Sequence, residues 1–165
     1  MYEVRKLEAG DAVEYRDIRL EALEACPEAF GASYAEDQGL PVARYEGALA
    51  ANQIYGGFKG GQLQGVIAVS RPNFIKTQHK AAISGIYVRN GARGTGLSDE
   101  LLKFTFHHAG KKIECLHART ATANEAAVAL FKRNAFDIYG TEARALRLED
   151  GRYVDEYLMC RTMTR

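Results

Sequence analysis

The most informative segment of the chain reads Ile83-Ser84-Gly85-Ile86-Tyr87-Val88-Arg89-Asn90-Gly91-Ala92-Arg93-Gly94-Thr95-Gly96-Leu97-Ser98 and continues Asp99-Glu100-Leu101-Leu102. An apolar, β-rich run comes first, followed by a turn of Asn and Gly, a basic glycine-rich loop and the start of a helix. The chain is therefore expected to pass directly from a strand into a helix at this point.

Such a junction can bind an anion. The first backbone N–H groups of a helix lack intrahelical partners and carry the positive end of its dipole. Gly94 and Gly96 have no Cβ, so an oxygen can approach these amides, and Arg93 adds a fixed positive charge. The loop predicts a phosphate site, although glycine at a strand-to-helix turn also serves as plain turn chemistry.

The loop has neither the Gly-Lys-Ser/Thr ending of a nucleoside-triphosphate loop nor the spaced glycines of a dinucleotide fingerprint. Arg93-Gly94-Thr95-Gly96-Leu97-Ser98, preceded by Tyr87-Val88, instead resembles motif A of the GNAT superfamily of acyl-CoA-dependent N-acyltransferases, Arg/Gln-x-x-Gly-x-Gly/Ala. Ser98 departs from the last position, where its small size still admits a cofactor. The resemblance implies acetyl-CoA as co-substrate, with its pyrophosphate on the amides from Arg93 to Ser98.

A second resemblance lies near the N-terminus. Pro27-Glu28-Ala29-Phe30-Gly31 is similar to the Pro-x-Ala-Phe-Gly segment that helps wall the acceptor pocket in GNAT proteins. On this basis Phe30 and Tyr34 are expected on the substrate side, and Tyr157 is expected to flank the same neutral acceptor pocket. Without the resemblance, the segment is a connection between two helices with two core aromatics.

The third resemblance starts at Asn124. In GNAT proteins a strand is followed by Asn-x-x-Ala-x-x-Leu-Tyr-x-x-x-Gly-Phe, and Asn124, Ala127, Leu130 and Phe136 match in register. Ala135 replaces the Gly, so Asn134 is expected to take the left-handed position that ends the helix. Phe131 replaces a Tyr that many members use to protonate the departing thiolate. The resemblance assigns cofactor binding to Ile86, Tyr87, Val88, Arg93, Gly94, Thr95, Gly96, Leu97, Ser98, Asn124 and Phe131.

The remaining elements follow from apolar periodicity and turn residues. Helices are expected from Asp11, as cap, to Ala25, from Val42 to Ala51, from the glycine loop to Gly110, and from a Thr122–Glu125 capping box onward. Strands are expected over residues 2–7, 53–58, 62–70, 76–88, 112–119, 136–148 and 152–162. With the resemblance, they predict an α/β (α+β) single domain over residues 1–165: a mixed, mostly antiparallel sheet of about seven strands with about four helices.

The composition and the spacing of these residue types argue against several other classes of protein. The 165 residues include 22 basic and 21 acidic ones, a net charge of +1, so nucleic acid is not expected as the partner. The segment Met1 to Lys6 has no apolar signal region, and no apolar run reaches the roughly 20 residues of a membrane span. Three widely separated cysteines are typical of a cytoplasmic protein. His107 and His108 point apart on a helix and Cys115-x-His117 is interpreted as packing, so no metal is predicted.

Acyl transfer to an amine needs an oxyanion donor and a proton acceptor. The resemblance assigns the first role to the Val88 N–H. The family's usual strand glutamate is missing, because residues 75–88 contain no acid and Ala82 occupies its place. The remaining candidates are Glu156 or Asp155 as base, Ser84 to position a water, and Tyr139 as proton donor.

The sequence thus predicts an N-acetyltransferase that acts on a primary amine of a small molecule or peptide. A GNAT-like domain that binds acetyl-CoA without turnover, as a sensor or docking unit, is the alternative, and a nucleotide-binding regulator is a third possibility. Exposed edge strands in the final hairpin favour a homodimer.

Overall fold

The strands form one seven-stranded sheet in the computed structural model, which describes residues 1–163, and their order is β1-β2-β3-β4-β5-β7-β6. Only β4 and β5 are parallel neighbours within this sheet. The strands are β1 (Glu3–Lys6), β2 (Gln53–Lys59), β3 (Gln62–Ser70), β4 (Lys80–Val88), β5 (Cys115–Ala121), β6 (Asp137–Arg147) and β7 (Tyr153–Thr162). The predicted mixed, mostly antiparallel sheet is confirmed.

Five α-helices lie among the described residues: α1 (Ala12–Ala25), α2 (Tyr34–Asp37), α3 (Val42–Ala51), α4 (Leu97–His108) and α5 (Glu125–Arg133). The short α2 was not predicted. It begins at a capping box in which Ser33 Oγ accepts from the Glu36 N–H at 3.2 Å while Glu36 Oε2 accepts from the Ser33 N–H at 2.8 Å.

The helices cover both faces of the sheet. Neighbouring residues of a strand point to opposite faces, and Ile54 and Val66 join a core with α1 and α3 while Tyr55 and Ile67 join one with α4 and α5. Two separate buried cores therefore fix the sheet from its two sides. Within residues 1–163, none of the helices has the length and apolarity needed to cross a bilayer.

The two expected helix caps have different outcomes. Asp11 is the N-cap residue of α1, as expected, but its carboxylate accepts from Arg5 and from the Glu8 N–H, each at 2.8 Å, and makes no cap bond. Thr122 does not cap α5, because its N–H donates to the Asp155 carbonyl at 2.9 Å and so continues the β5–β7 ladder. The cap is Asn124.

The end of α5 also differs from expectation. The left-handed residue is Ala135, with φ +64°, and not Asn134, whose φ is −98°. The Asn134 amide donates to the Leu130 carbonyl at 2.9 Å and to Asp99 Oδ1 at 2.7 Å. Because these two bonds hold Asn134 against α5 and α4, the chain reverses one residue later.

The parallel strands β4 and β5 pair only briefly within the described residues. Their register runs from Lys80 opposite Cys115 to Ala82 opposite His117. Beyond that point β4 continues along β3 to Val88, while β5 continues along β7 to Ala121. The sheet is therefore open between the C-terminal halves of β4 and β5.

Candidate active site

A bulge shapes the open edge of β4. Between Ser84 and Tyr87 this strand has one residue more than β3, and Gly85 lies there with φ +59°. Beyond the bulge, the Arg89 N–H donates to the Gln64 carbonyl at 2.8 Å. The next pair in the ladder, Gly65 with Val88, is consequently the non-hydrogen-bonded type. The Val88 N–H thus points away from β3, toward the opening.

Arg93 lies beside this strand end. Its Nε donates to the Val88 carbonyl at 3.1 Å, and its guanidinium lies 5.7 Å from the Tyr87 ring centroid. One N–H of the fork is thereby used to fix the side chain, while the residue itself is exposed. Its positive charge is held at the start of the glycine loop.

The loop and the start of α4 have the geometry of an anion site. Gly94 and Gly96 have φ values of +72° and +89°, and no atom lies within 4 Å of the place where a Cβ would stand. The first helical bond runs from the Glu100 N–H to the Gly96 carbonyl at 3.1 Å, which leaves the preceding amides of the first turn for an external acceptor. Thr95 Oγ1 donates to the Ala92 carbonyl at 2.6 Å and bonds the Tyr2 hydroxyl at 2.9 Å, so the loop is anchored.

Across the opening, Asn124 and Phe131 have different surroundings. Asn124 Oδ1 accepts from the Ala127 N–H at 3.1 Å, and the residue lines a cavity of about 690 Å³ beside β7. Phe131 is 2% exposed and packs edge-on against Phe136, with the ring centroids 5.1 Å apart. The Phe131 ring therefore belongs to the core.

A cavity of about 610 Å³, here called the central cavity, lies between α1 with the segment that follows it and the middle parts of β4, β5 and β7, and β6 also contributes to its lining. Four of the predicted site residues line it: Phe30, Ser84, Tyr139 and Glu156. They come from four separate parts of the chain, and the sheet topology brings them together. A second cavity of about 520 Å³ between α1 and α3 shares the lining residues Arg19 and Ser84.

Glu156 is the buried carboxylate of the central cavity. It is 8% exposed, and its Oε1 accepts from Arg119 Nε at 3.0 Å. Arg119 also pairs with Glu142 on β6. The Glu156 charge is thus balanced by a guanidinium whose other partner lies outside the cavity lining.

His117, Arg119 and Arg19 also line the cavity, and none of them was predicted as a site residue. The His117 ring lies edge-on to Tyr139, with the centroids 5.8 Å apart. Burial, followed by the positive charges of Lys80 and His79, lowers the pKa of His117. At neutral pH this ring is therefore a neutral donor and acceptor in the cavity wall.

Tyr34 and Tyr157 lie elsewhere. Tyr34 lines an adjacent cavity of about 520 Å³ against the β6–β7 turn, which it shares with Phe30. Tyr157 lies between Glu156 and Leu158, which both line the central cavity, and it packs against the core on the α4 and α5 face. Strand alternation explains why Tyr157 and Glu156 face opposite sides.

A comparison with sequence models of protein families identifies the family of this chain. The sequence model described as the acetyltransferase (GNAT) family matches residues 15–136, well over half of the chain. No curated protein matches the sequence.

Solved structures share the fold at low sequence identity. An acetyltransferase of the GNAT family from Streptococcus pneumoniae has a TM-score of 0.86 and 21% identity, over 98% of this chain and 99% of that one. Ribosomal-protein-alanine N-acetyltransferase from Brucella melitensis has a TM-score of 0.84 and 21% identity, over 97% of this chain and 99% of that one. The protein yncA from Salmonella typhimurium was solved with its cofactor acetyl-CoA. It has a TM-score of 0.83 and 17% identity, over 100% of this chain and 95% of that one.

Proposed function

Because this chain belongs to the acetyltransferase (GNAT) family, we propose that it transfers the acetyl group of acetyl-CoA directly to a primary amine of a small molecule or peptide. The observation that carries the proposal is the junction of β4 and α4. There, two left-handed glycines, the free amides of a helix start and Arg93 converge on open space.

The cofactor occupies the opening between β4 and β5. Its pyrophosphate lies on the amides of Gly94 to Ser98, where the helix dipole and the Arg93 side chain balance the negative charge. The Arg93 amide, expected among these donors, instead donates to the Asn90 carbonyl at 3.3 Å. The pantetheine arm runs along Ile86 to Val88 toward Asn124. The structure of yncA with acetyl-CoA supports this choice of cofactor, because that protein has the same fold.

The thioester carbonyl then lies near Val88. The Val88 N–H is turned away from β3, so it can donate to the oxyanion of the tetrahedral intermediate without losing a sheet hydrogen bond. A donor fixed in a strand needs little reorganisation during the reaction. This arrangement is the reason to place the reacting carbon at the mouth of the central cavity.

The amine must lose a proton before it attacks, because an alkyl ammonium has a pKa of about 10.4. Glu156 is the carboxylate in the central cavity, and Ser84 lies across from it on β4. We assign Glu156 as the proton acceptor through a water that Ser84 orients. The hydrogen bond from Arg119 Nε to Glu156 Oε1, at 3.0 Å, fixes the position of the carboxylate in the cavity.

The departing thiolate needs less assistance, because a thiol has a pKa of about 8.5 and is a good leaving group. Phe131, in the core, cannot supply a proton. Tyr139 lines the central cavity and carries a phenol that is free to move, since the residue is 60% exposed. We assign it as the proton donor to the thiolate.

One observation favours the alternative of a binding domain without turnover. Phe131 stands where many family members carry a tyrosine, and its ring is buried. A sensor would bind acetyl-CoA with the same loop and release no thiol. The two functions therefore differ in turnover and not in binding.

Calorimetry with acetyl-CoA tests the cofactor site first. Gly94→Glu places a carboxylate where the pyrophosphate lies, and binding should be lost. Gly151→Glu is the matched control, because Gly151 also has a positive φ, +85°, and open space around it, but lies in the β6–β7 turn. Equal affinity of the two variants would contradict the proposed site.

A thiol-release assay over a panel of amines then separates the enzyme from the sensor. Release that depends on the amine supports acetyl transfer. Tight acetyl-CoA binding without release for any amine in the panel would support the binding domain.

A further inference from the structure

Three side chains that the proposed reaction does not use lie together on β5 and β7. They are Cys115, His117 and Cys160, and one ligand atom from each lies within 4.8 Å of the others. Cys115 and His117 are two residues apart on β5, so they share a face of the sheet, and Cys160 lies directly opposite His117 on β7. All three are half-buried.

The ligand atoms lie close to the separations that shared ligation requires. Cys160 Sγ lies 4.0 Å from His117 Nε2. Thiolate and imidazole ligands of a tetrahedral zinc ion, bound at about 2.0–2.3 Å, lie about 3.5–3.8 Å from one another. The present separations, all within 4.8 Å, are longer than this by about 1 Å at most.

A disulfide fits these positions less well. Cys115 is opposite Thr162, so Cys115 and Cys160 occupy diagonal positions of the antiparallel pair. Diagonal neighbours are about 7–8 Å apart, whereas disulfides mostly join Cα atoms about 4.4–6.8 Å apart. The cysteines are accordingly free thiols with an imidazole beside them.

We propose that Cys115, His117 and Cys160 bind one Zn²⁺ ion between β5 and β7, at the edge of the central cavity. Two thiolates cancel the charge of the ion, and sulfur and imidazole ligands select zinc over magnesium or calcium. Three protein ligands leave a fourth position for water or a substrate donor. His117 itself lines the central cavity, so the ion is adjacent to the proposed acceptor site.

The local charges are compatible with this site. Zinc binds cysteine as thiolate and histidine as neutral imidazole, so binding of the ion releases thiol protons. Lys80 lies opposite Cys115 on β4 and places a positive charge beside the two thiols. The site does not depend on the proposed acetyl transfer.

Calorimetric titration of the chelator-treated, reduced protein with Zn²⁺ tests the proposal. We expect one ion per chain, and Cys160→Ser and Cys115→Ser should each weaken binding by more than about 100-fold, beyond the loss of an outer-shell partner. Cys26→Ser is the matched control, because Cys26 is an equally half-buried free cysteine outside the cluster. The Zn²⁺ affinity of Cys26→Ser should equal that of the wild type.

A second measurement distinguishes loss of the metal site from misfolding of the variant. Co²⁺ added to the wild type should give a thiolate-to-metal charge-transfer band that is much weaker in Cys160→Ser, which keeps only the Cys115 thiolate, while the metal-free melting temperatures of the two proteins agree. Failure of the wild type to bind Zn²⁺, or binding that Cys160→Ser leaves unchanged, would overturn the assignment.

Discussion

Arg119 and Glu156 join β5 to β7 on the floor of the central cavity, with Arg119 Nε 3.0 Å from Glu156 Oε1. The guanidinium also pairs with Glu142, so two carboxylates on different strands share one cation. Only Glu156 lines the cavity. The pair of carboxylates therefore gives a direct test of which one takes part in proton transfer.

Glu156→Gln should lower kcat for acetyl transfer by about 100-fold or more, because a positioned general base contributes about 10²–10⁴-fold. The affinity for acetyl-CoA should stay within twofold of the wild type. Glu142→Gln removes the other partner of Arg119 and should leave kcat nearly unchanged. Steady-state thiol release checks both variants, and equal activities of the two would contradict the assignment.

Phe30→Ala should raise the KM for the amine by about tenfold, the effect of removing one well-packed aromatic anchor, while acetyl-CoA binding is unaffected. Tyr34→Ala is the control, because Tyr34 lines the adjacent cavity and not the central one. A larger KM effect for Tyr34→Ala would move the acceptor site to the adjacent cavity.

The Arg133 guanidinium, helped by the Asn134 amide, holds the pKa of Asp99 below its usual range. A carboxyl with a lower pKa in the folded state stabilises the fold above its unfolded value of about 3.9, and this stability is lost as pH falls through the folded-state pKa. Asp99→Asn should therefore cost about 1 kcal/mol in the free energy of unfolding at pH 7, and the cost should disappear at low pH.

Urea titrations at several pH values measure this difference. Asp17→Asn is the control, because the Asp17 side chain is 54% exposed and has one ion-pair contact, at 3.5 Å. If the wild type and Asp99→Asn lose stability in parallel on acidification, the pairing of α4 with α5 does not set the pKa of Asp99.

Ala135→Gly should increase the free energy of unfolding by about 1 kcal/mol, because a non-glycine residue in the left-handed region is strained by about 1–2 kcal/mol. The same substitution at Ala129, an exposed position inside α5, should decrease it by about 1 kcal/mol. Opposite signs in the two urea titrations are the expected outcome. Destabilisation by Ala135→Gly would show that the turn after α5 is not strained.

The sequence was sufficient for the parts of the fold that depend on local chemistry. Helix Val42–Ala51 has its predicted bounds, and the Gly60-Gly61 and Asp150-Gly151 turns join strands as expected. The loop from Arg93 to Ser98 could be identified because its glycines, its charge and its place before a helix are all local features. The Ser33–Glu36 capping box is equally local and could also have been found.

The composition of the central cavity depends on strand pairing and was only partly predictable. Adjacent residues of β7 face opposite sides, so Glu156 and Tyr157 cannot both line one cavity, and alternation alone could have separated them. The contact of His117 with Cys160 could not be predicted from alternation alone, because it depends on the β5–β7 register. No feature of the short Cys115-x-His117 pattern indicates that a third ligand lies on the last strand.

The short pairing of β4 with β5 also has a mechanical consequence. One half of the sheet, β1 to β4, is joined to the other half by three residues of parallel ladder, whereas β5 is hydrogen-bonded to β7 along its whole length. A pantetheine arm seated in the opening would act as a substitute strand segment, with its amides in place of the missing ladder. Loading the cofactor would therefore stiffen the seam between the two halves, and slower amide exchange along β5 would accompany it.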